Sequence, residues 1–485
     1  MFRLTQSLGF LLAASFVAGN ALPLLSQTSR PPLAVAALQE DFDVLQHSIE
    51  EAHGGFDRFA ARDDVKRRLA GHRARLDRPL SHAEFAGRIS EALAELRDGH
   101  ARLELDSGTA ASLASARVFP LRLAMENERL VVRYNDAQGN STIVPGMEIV
   151  SINGRSATEI IRTLWPKIAA DGFIETGKRH RLGSQFPTLH WLYVEQPDSY
   201  SVTARDAQGK HVAATLPGIV ESERRNVVNP VNATFVERLA GLDAPPGTVS
   251  LEFLDNPRIA RLRVRSFGGQ GFVATLDSVL RVLKERGATT LILDLRGNGG
   301  GVDQYGARLV SYFTDRPFRY FDHIRITTIA PSFATWLPRT FEEIKAGTVP
   351  DSSGGFLITP ALHSGVGEQQ PAADGFKGRL FVLIDGASFS TTADVTAQLR
   401  SLKRAVFIGD ETAGTYEGNT SGLNADIVLP NSRLKHRVMM YGYWNAVAPV
   451  PGGRGVIPDH HAPLRVSDVL AGRDPAMDLA RTLAK

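Results

Sequence analysis

One stretch limits what this chain can fold into more than any other: Thr289 to Gly301, T-T-L-I-L-D-L-R-G-N-G-G-G. Its apolar part shows no alternation, the pattern of a strand covered on both faces, so it belongs inside a parallel sheet flanked by helices. The strand runs directly into a glycine loop whose backbone N–H groups can form a nest for a negatively charged oxygen. A second apolar strand, Leu380 to Ile384, leads through Asp385-Gly386-Ala387 into Ser388-Phe389-Ser390, and a helical run from Ala393 to Leu402 follows. Open α/β sheets place their reacting groups at this carboxyl edge, where strand turns into helix. A serine hydroxyl beside an oxyanion nest is the equipment of acyl transfer.

Strands and helices alternate from about Val249 to the C-terminus, which predicts an α/β region over 249–485 with a mostly parallel sheet. A Pro/Gly/Ser-rich excursion, 331–375, interrupts it and is too long for a simple connection; a lid or substrate-contact loop is the expectation. Upstream, 33–105 has helical periodicity, with Phe42, Leu45 and Ile49 on one face and Phe85, Ile89, Leu93 and Leu96 on another. Ser81 and Glu84 form a capping box at the start of the second helix. That helix is expected to stop at Arg97-Asp98-Gly99-His100, with Gly99 in the left-handed turn and His100 at a helix-to-strand corner. The region 116–218 reads as a small β-rich unit with a groove and an insertion at 166–196. The fold class expected is therefore an α/β multidomain chain.

Composition removes several alternatives. With 485 residues, 43% hydrophobic and 22% charged, the chain can bury a core in each of these regions. A net charge of +3 with no long Lys/Arg run gives nucleic acid no electrostatic footprint. The absence of cysteine excludes disulfides, thiolate catalysis and cysteine metal sites; no metal and no cofactor are expected. At the N-terminus, Arg3 precedes a short apolar core, Leu8 to Ala18, ending in small residues. Residues 1–21 thus read as a signal peptide, with an uncleaved anchor as the alternative, and the chain as exported, periplasmic or secreted. No later segment approaches the length of a membrane span.

Asp294-Leu295-Arg296-Gly297-Asn298-Gly299-Gly300-Gly301, then Ser388-Phe389-Ser390, then Val406 to Gly414 (V-F-I-G-D-E-T-A-G) and Gly455-Val456-Ile457-Pro458-Asp459 together resemble the C-terminal processing, or tail-specific, serine peptidases. The segment Gly146 to Gly154 resembles their PDZ domain. The resemblance implies an N-terminal helical domain, a PDZ-like domain with Gly146 and Ile149 at a substrate groove, and a ClpP/crotonase-like α/β peptidase core. In the best-known branch a lysine assists the serine, and Thr415 stands in its place here. The second branch, similar to the tricorn protease core, takes a histidine from the N-terminal helical region, and Arg97-Asp98-Gly99-His100 is the matching segment.

A serine hydroxyl needs a base of suitable pKa, which histidine supplies without further tuning. The resemblance thus implies Ser390 as nucleophile, with Ser388 the competitor, and His100 as general base. Taken alone, Ser390 fits a helix N-cap, a role serine fills very often, and His100 fits a structural histidine at a helix end better than a catalytic one; the family resemblance reverses that order. The oxyanion hole would come from the backbone N–H of Thr391 and of a glycine such as Gly299 or Gly300. Several carboxylates compete to orient the histidine: Asp98, Glu417 and Asp459, with Asp394 near the serine. His53 is expected at a helix end, and His460 and His461 on the surface. Two functions remain open: an exported serine endopeptidase acting on polypeptides, or an inactive binder of a peptide or apolar ligand on the same fold. The oligomeric state is open as well.

Overall fold

The central layer is a six-stranded sheet whose strands follow the order Val249–Phe253, Ile259–Val264, Thr290–Asp294, Arg379–Ile384, Val406–Gly409, His460–His461. All neighbours in it run parallel except the first pair, as the uninterrupted apolar runs predict. In this computed structural model, which describes residues 31–450 and 452–485, Thr290–Asp294 is buried along its whole length. The helices Phe272–Glu285, Asp303–Ser311 and Thr391–Ser401 follow their strands, and Pro475–Ala484 packs Ala476, Met477 and Ala480 against Ile292, Phe381 and Ile408.

The acidic and basic residues of the Asp294-Leu295-Arg296 segment are structural. Asp294 is fully buried and accepts from Arg261 (2.7 Å), Arg263 (2.7 Å) and Arg296 (2.8 Å). Arg296 also reaches both carboxylate oxygens of Asp474 at 2.8 Å, and Asp474 caps the Pro475–Ala484 helix. A bidentate guanidinium thereby ties the strand end to the last helix.

In the N-terminal helical region the helices Val35–Ala52, Arg62–Ala74 and His82–Ala94 share a core that contains all the expected apolar residues, Phe42, Leu45, Ile49, Phe85, Ile89, Leu93 and Leu96. The Ser81–Glu84 capping box closes in both directions. The end of the third helix differs from expectation. It stops at Ala94, and Arg97 takes the left-handed conformation (φ +54°) instead of Gly99. Gly99 is glycine for another reason: a Cβ there would lie 2.9 Å from both Asp171 Oδ1 and the Phe389 ring.

The strand-rich middle holds an antiparallel sheet of Leu121–Glu126, Arg129–Asn135, Glu148–Ile152, Ser199–Arg205 and His211–Pro217. The 166–196 stretch contributes the helix Thr176–Tyr193, whose Leu182, Phe186 and Leu189 complete this core. A second, antiparallel sheet was not apparent in the sequence: Arg102–Glu104, Lys435–Asn445, Phe321–Ile326, Phe356–Ile358 and Thr348–Pro350, with Thr420–Val428 beside Lys435–Asn445. Two of its strands come from the excursion at 331–375, so this segment is largely built into the fold, with Ile358 and Val366 in the main core. Pro32–Lys485 forms one compact unit. The proposed signal peptide lies outside the described residues. Among those described, no helix is long and apolar enough to cross a membrane.

Candidate active site

Ser390 sits between the Arg379–Ile384 strand and the Thr391–Ser401 helix with φ +56° and ψ −129°. A non-glycine residue in that region is strained, and such strain characterises a nucleophile held on a sharp strand-to-helix turn. Its side chain makes no capping bond, which sets aside the N-cap role. Ser388 is engaged in the turn itself: its hydroxyl is fully buried, donates to the Leu295 carbonyl (3.1 Å) and accepts from the Asp385 N–H (3.1 Å).

His100 Nε2 lies 3.1 Å from Ser390 Oγ. The residues are 290 positions apart in sequence, and the path between them is built from specific supports. The Arg102–Glu104 strand pairs with Lys435–Asn445 and anchors the chain just after His100. The imidazole rests on Phe389, with ring centroids 4.4 Å apart. The Gly99 N–H donates to Asp171 Oδ1 (2.5 Å) and its carbonyl accepts from Arg181 (2.7 Å). The His100 N–H donates to Asp98 Oδ1 (2.7 Å), whose other oxygen lies 2.9 Å from His53 Nε2. Because His53 Nδ1 accepts from the Gly55 N–H (3.2 Å), the ring proton belongs on Nε2, and His53 is the donor to Asp98.

Burial pushes the His100 pKa down to about 4, so the imidazole is neutral and able to accept a proton at neutral pH. Asp98 is held at about 2: burial alone would raise it, but its interaction with His53, led by the hydrogen bond that ring donates, outweighs it. Asp171 is pushed up to about 7 by burial and by the neighbouring Asp98 carboxylate. Burial and the charge of Asp303 likewise raise Asp394 well above the usual carboxylate range.

The glycine loop faces the serine directly. Gly300 has φ +100°, and a Cβ on it would approach the Ser390 Cβ to 2.7 Å and the Thr391 N to 3.0 Å. Its own N–H, however, is taken by Asn298 Oδ1 at 2.9 Å, so Gly300 shapes the loop without offering a free donor. Among the described residues, the N–H groups of Gly299 and Thr391 have no acceptor. Thr391 opens a helix, where the first N–H groups lack intrahelical acceptors. Its hydroxyl lies 2.9 Å from both the Gly301 carbonyl and Asp303 Oδ1.

Of the carboxylates expected to orient the base, only Asp98 stands beside it, with Oδ1 at 3.8 Å from His100 Nδ1, beyond hydrogen-bond range. Asp459 is held by Arg400 (2.6 Å) and the Phe407 N–H (2.7 Å), and Glu417 by the Gly453 N–H (2.5 Å). Asp394 accepts from Asn419 (3.1 Å). Thr415 is buried, and its hydroxyl donates to the Gly418 carbonyl. His460 and His461 are exposed on the edge strand of the parallel sheet. Of the two groove positions, Ile149 is closed to solvent and Gly146 is half-buried. Ile149 is 1% exposed within the middle core, and a Cβ on Gly146 would lie 2.7 Å from Leu470, which covers that turn. Asp171 and Arg181, both from the 166–196 stretch, were not identifiable in the sequence, because no motif surrounds them and only tertiary contact brings them to His100.

Residues 258–460 match the family model Peptidase family S41. The chain is a serine-type peptidase, with polypeptide as its substrate class. Its fold is similar to that of mature CPAF, at 13% identity over 93% of this chain and 96% of that one with a TM-score of 0.63. The structure of mature CPAF complexed with lactacystin gives 13% identity, 93% and 97% coverage and a TM-score of 0.64. The photosystem II D1 C-terminal processing protease is 16% identical over 90% and 98% of the two chains, with a TM-score of 0.43. No curated protein matches the sequence.

Proposed function

We propose that this chain is an exported endopeptidase that cleaves polypeptides through Ser390 and His100, in the histidine-using manner of the tricorn-like branch. The observation that carries the proposal is the 3.1 Å approach of His100 Nε2 to the hydroxyl of a strained Ser390. Nε2 takes the Ser390 proton as Oγ attacks the scissile carbonyl, and the N–H groups of Thr391 and Gly299 hold the oxyanion. The imidazolium then protonates the leaving amine, and water, activated by the same nitrogen, releases the acyl group. Asp98 compensates the transient positive charge from 3.8 Å, itself fixed by His53. Export rests on the pattern of residues 1–21, and the division into a helical domain, a PDZ-like domain and a peptidase core rests on the sequence resemblance. With Ile149 in the core and Gly146 beside Leu470, a groove role for these two positions rests on that resemblance alone.

The test is fluorophosphonate labelling and cleavage of unstructured casein by the wild type, Ser390→Ala and His100→Ala. Both activities should vanish for Ser390→Ala and fall by a factor on the order of 10⁴ or more for His100→Ala. A folded wild type that neither labels nor cleaves would leave the inactive binder as the reading. The mature secreted protein should begin at Leu22 by N-terminal sequencing; an intact N-terminus on the exported protein would refute cleavage after Ala21.

A further inference from the structure

The turn that carries His100 holds more donor atoms than proton transfer uses. His100 Nδ1, the nitrogen on the side away from Ser390, has no hydrogen-bond partner among the described residues, and neither has Asp171 Oδ2. Both residues are closed to solvent, His100 at 8% and Asp171 at 2% exposure. Asp98 completes the group, and one ligand atom from each of Asp98, His100 and Asp171 lies within 4.8 Å of the other two. An imidazole nitrogen and carboxylate oxygens converging in a buried space make a donor set for Zn²⁺, which binds such atoms at about 2.0–2.2 Å. Contraction by about an ångström would bring the donors to tetrahedral spacing. His53, behind Asp98 at 2.9 Å, provides the outer hydrogen bond that commonly orients a ligating carboxylate.

We propose that Asp98, His100 and Asp171 form an inhibitory Zn²⁺ site. Its inhibitory effect rests on the Ser390–His100 reading; the binding itself does not. Coordination occupies the Nδ1 lone pair, so the remaining ring proton resides on Nε2. Nε2 then faces Ser390 Oγ as a donor and cannot take its proton. Zinc thus silences the base by choosing its tautomer, without moving the serine.

The experiment uses tag-free protein carrying Ser390→Ala, which cannot turn over but keeps every ligand, with His460→Gln and His461→Gln to remove the exposed histidine pair. Titration with ZnCl₂ against a chromogenic chelator should show one ion per chain, and adding Asp171→Asn should weaken binding at least tenfold. If Asp171→Asn does not fold, Co²⁺ added to the Ser390→Ala protein decides the matter through the intense visible bands of a tetrahedral site. In the metal-free wild type, saturating Zn²⁺ should slow casein cleavage and labelling at least tenfold, and chelator should restore both. No stoichiometric binding, or binding indifferent to Asp171→Asn and without those bands, overturns the site. Stoichiometric binding with full activity overturns its inhibitory role. A metal-free wild type that is inert sinks the hydrolase reading instead, while the titration still decides the site.

Discussion

At the scale of single residues, the position of one imidazole depends on atoms outside the Ser390–His100 pair. A methyl group at Gly99 would meet Asp171 Oδ1 and the Phe389 ring at 2.9 Å, so Gly99→Ala should displace His100 and lower kcat/KM about 100-fold. Its thermal midpoint should stay close to wild type, and an unchanged kcat/KM would show that the turn tolerates the shift. His53→Ala strips Oδ2 of the buried Asp98 of its donor, and should cost about tenfold to a hundredfold in kcat by steady-state peptide hydrolysis. His53→Gln, which can still present an N–H, should recover part of that loss; equal defects in both would argue against a positioning role. Ser390 and His100 were legible as candidates because a family resemblance singled out two punctuated corners, a strand end followed by a helix and a helix end followed by a strand. Asp171 and Arg181 were not, since nothing in their local sequence distinguishes them from other charges on a helix-rich insertion. Nor could the sequence reveal that Asn298 occupies the Gly300 N–H.

Among the elements, the joint between the Thr290–Asp294 strand and the Pro475–Ala484 helix is electrostatic. Burial alone would raise the Asp294 pKa, but Arg296, Arg263 and Arg261 hold it far below the ordinary value. A carboxylate depressed in this way contributes stability that is complete above its unfolded value near 3.9 and is lost as pH falls toward the folded one. Asp294→Asn should therefore cost about 3–5 kcal/mol in urea unfolding at neutral pH. The gap from wild type should narrow when the same measurement is made at about pH 3.5. A gap independent of pH would place the effect in packing instead of charge. The parallel sheet was legible because its strands are continuous apolar runs, whereas the antiparallel sheet was hidden by its assembly from distant pieces. Arg102–Glu104 and the short strands of the 331–375 excursion have too few residues to show a period, and their pairing is decided by Lys435–Asn445.

On the scale of the whole molecule, the site has no single owner. His100 comes from the helical region, Asp171 and Arg181 from the middle region, and Ser390 with its glycine loop from the α/β region. Small separations of these parts should break the 3.1 Å contact before the cores melt. In a urea series, fluorophosphonate labelling is expected to decline at lower denaturant than the far-UV circular dichroism signal; coincident curves would mean that the parts separate only on global unfolding. The same arrangement sets a clock during synthesis. Ser390 follows His100 by 290 residues, about 15–60 s of translation, and the Lys435–Asn445 strand that secures the histidine's turn emerges later still. Through that interval a growing copy is proteolytically mute, unable to cut its own unfinished tail or that of a neighbour.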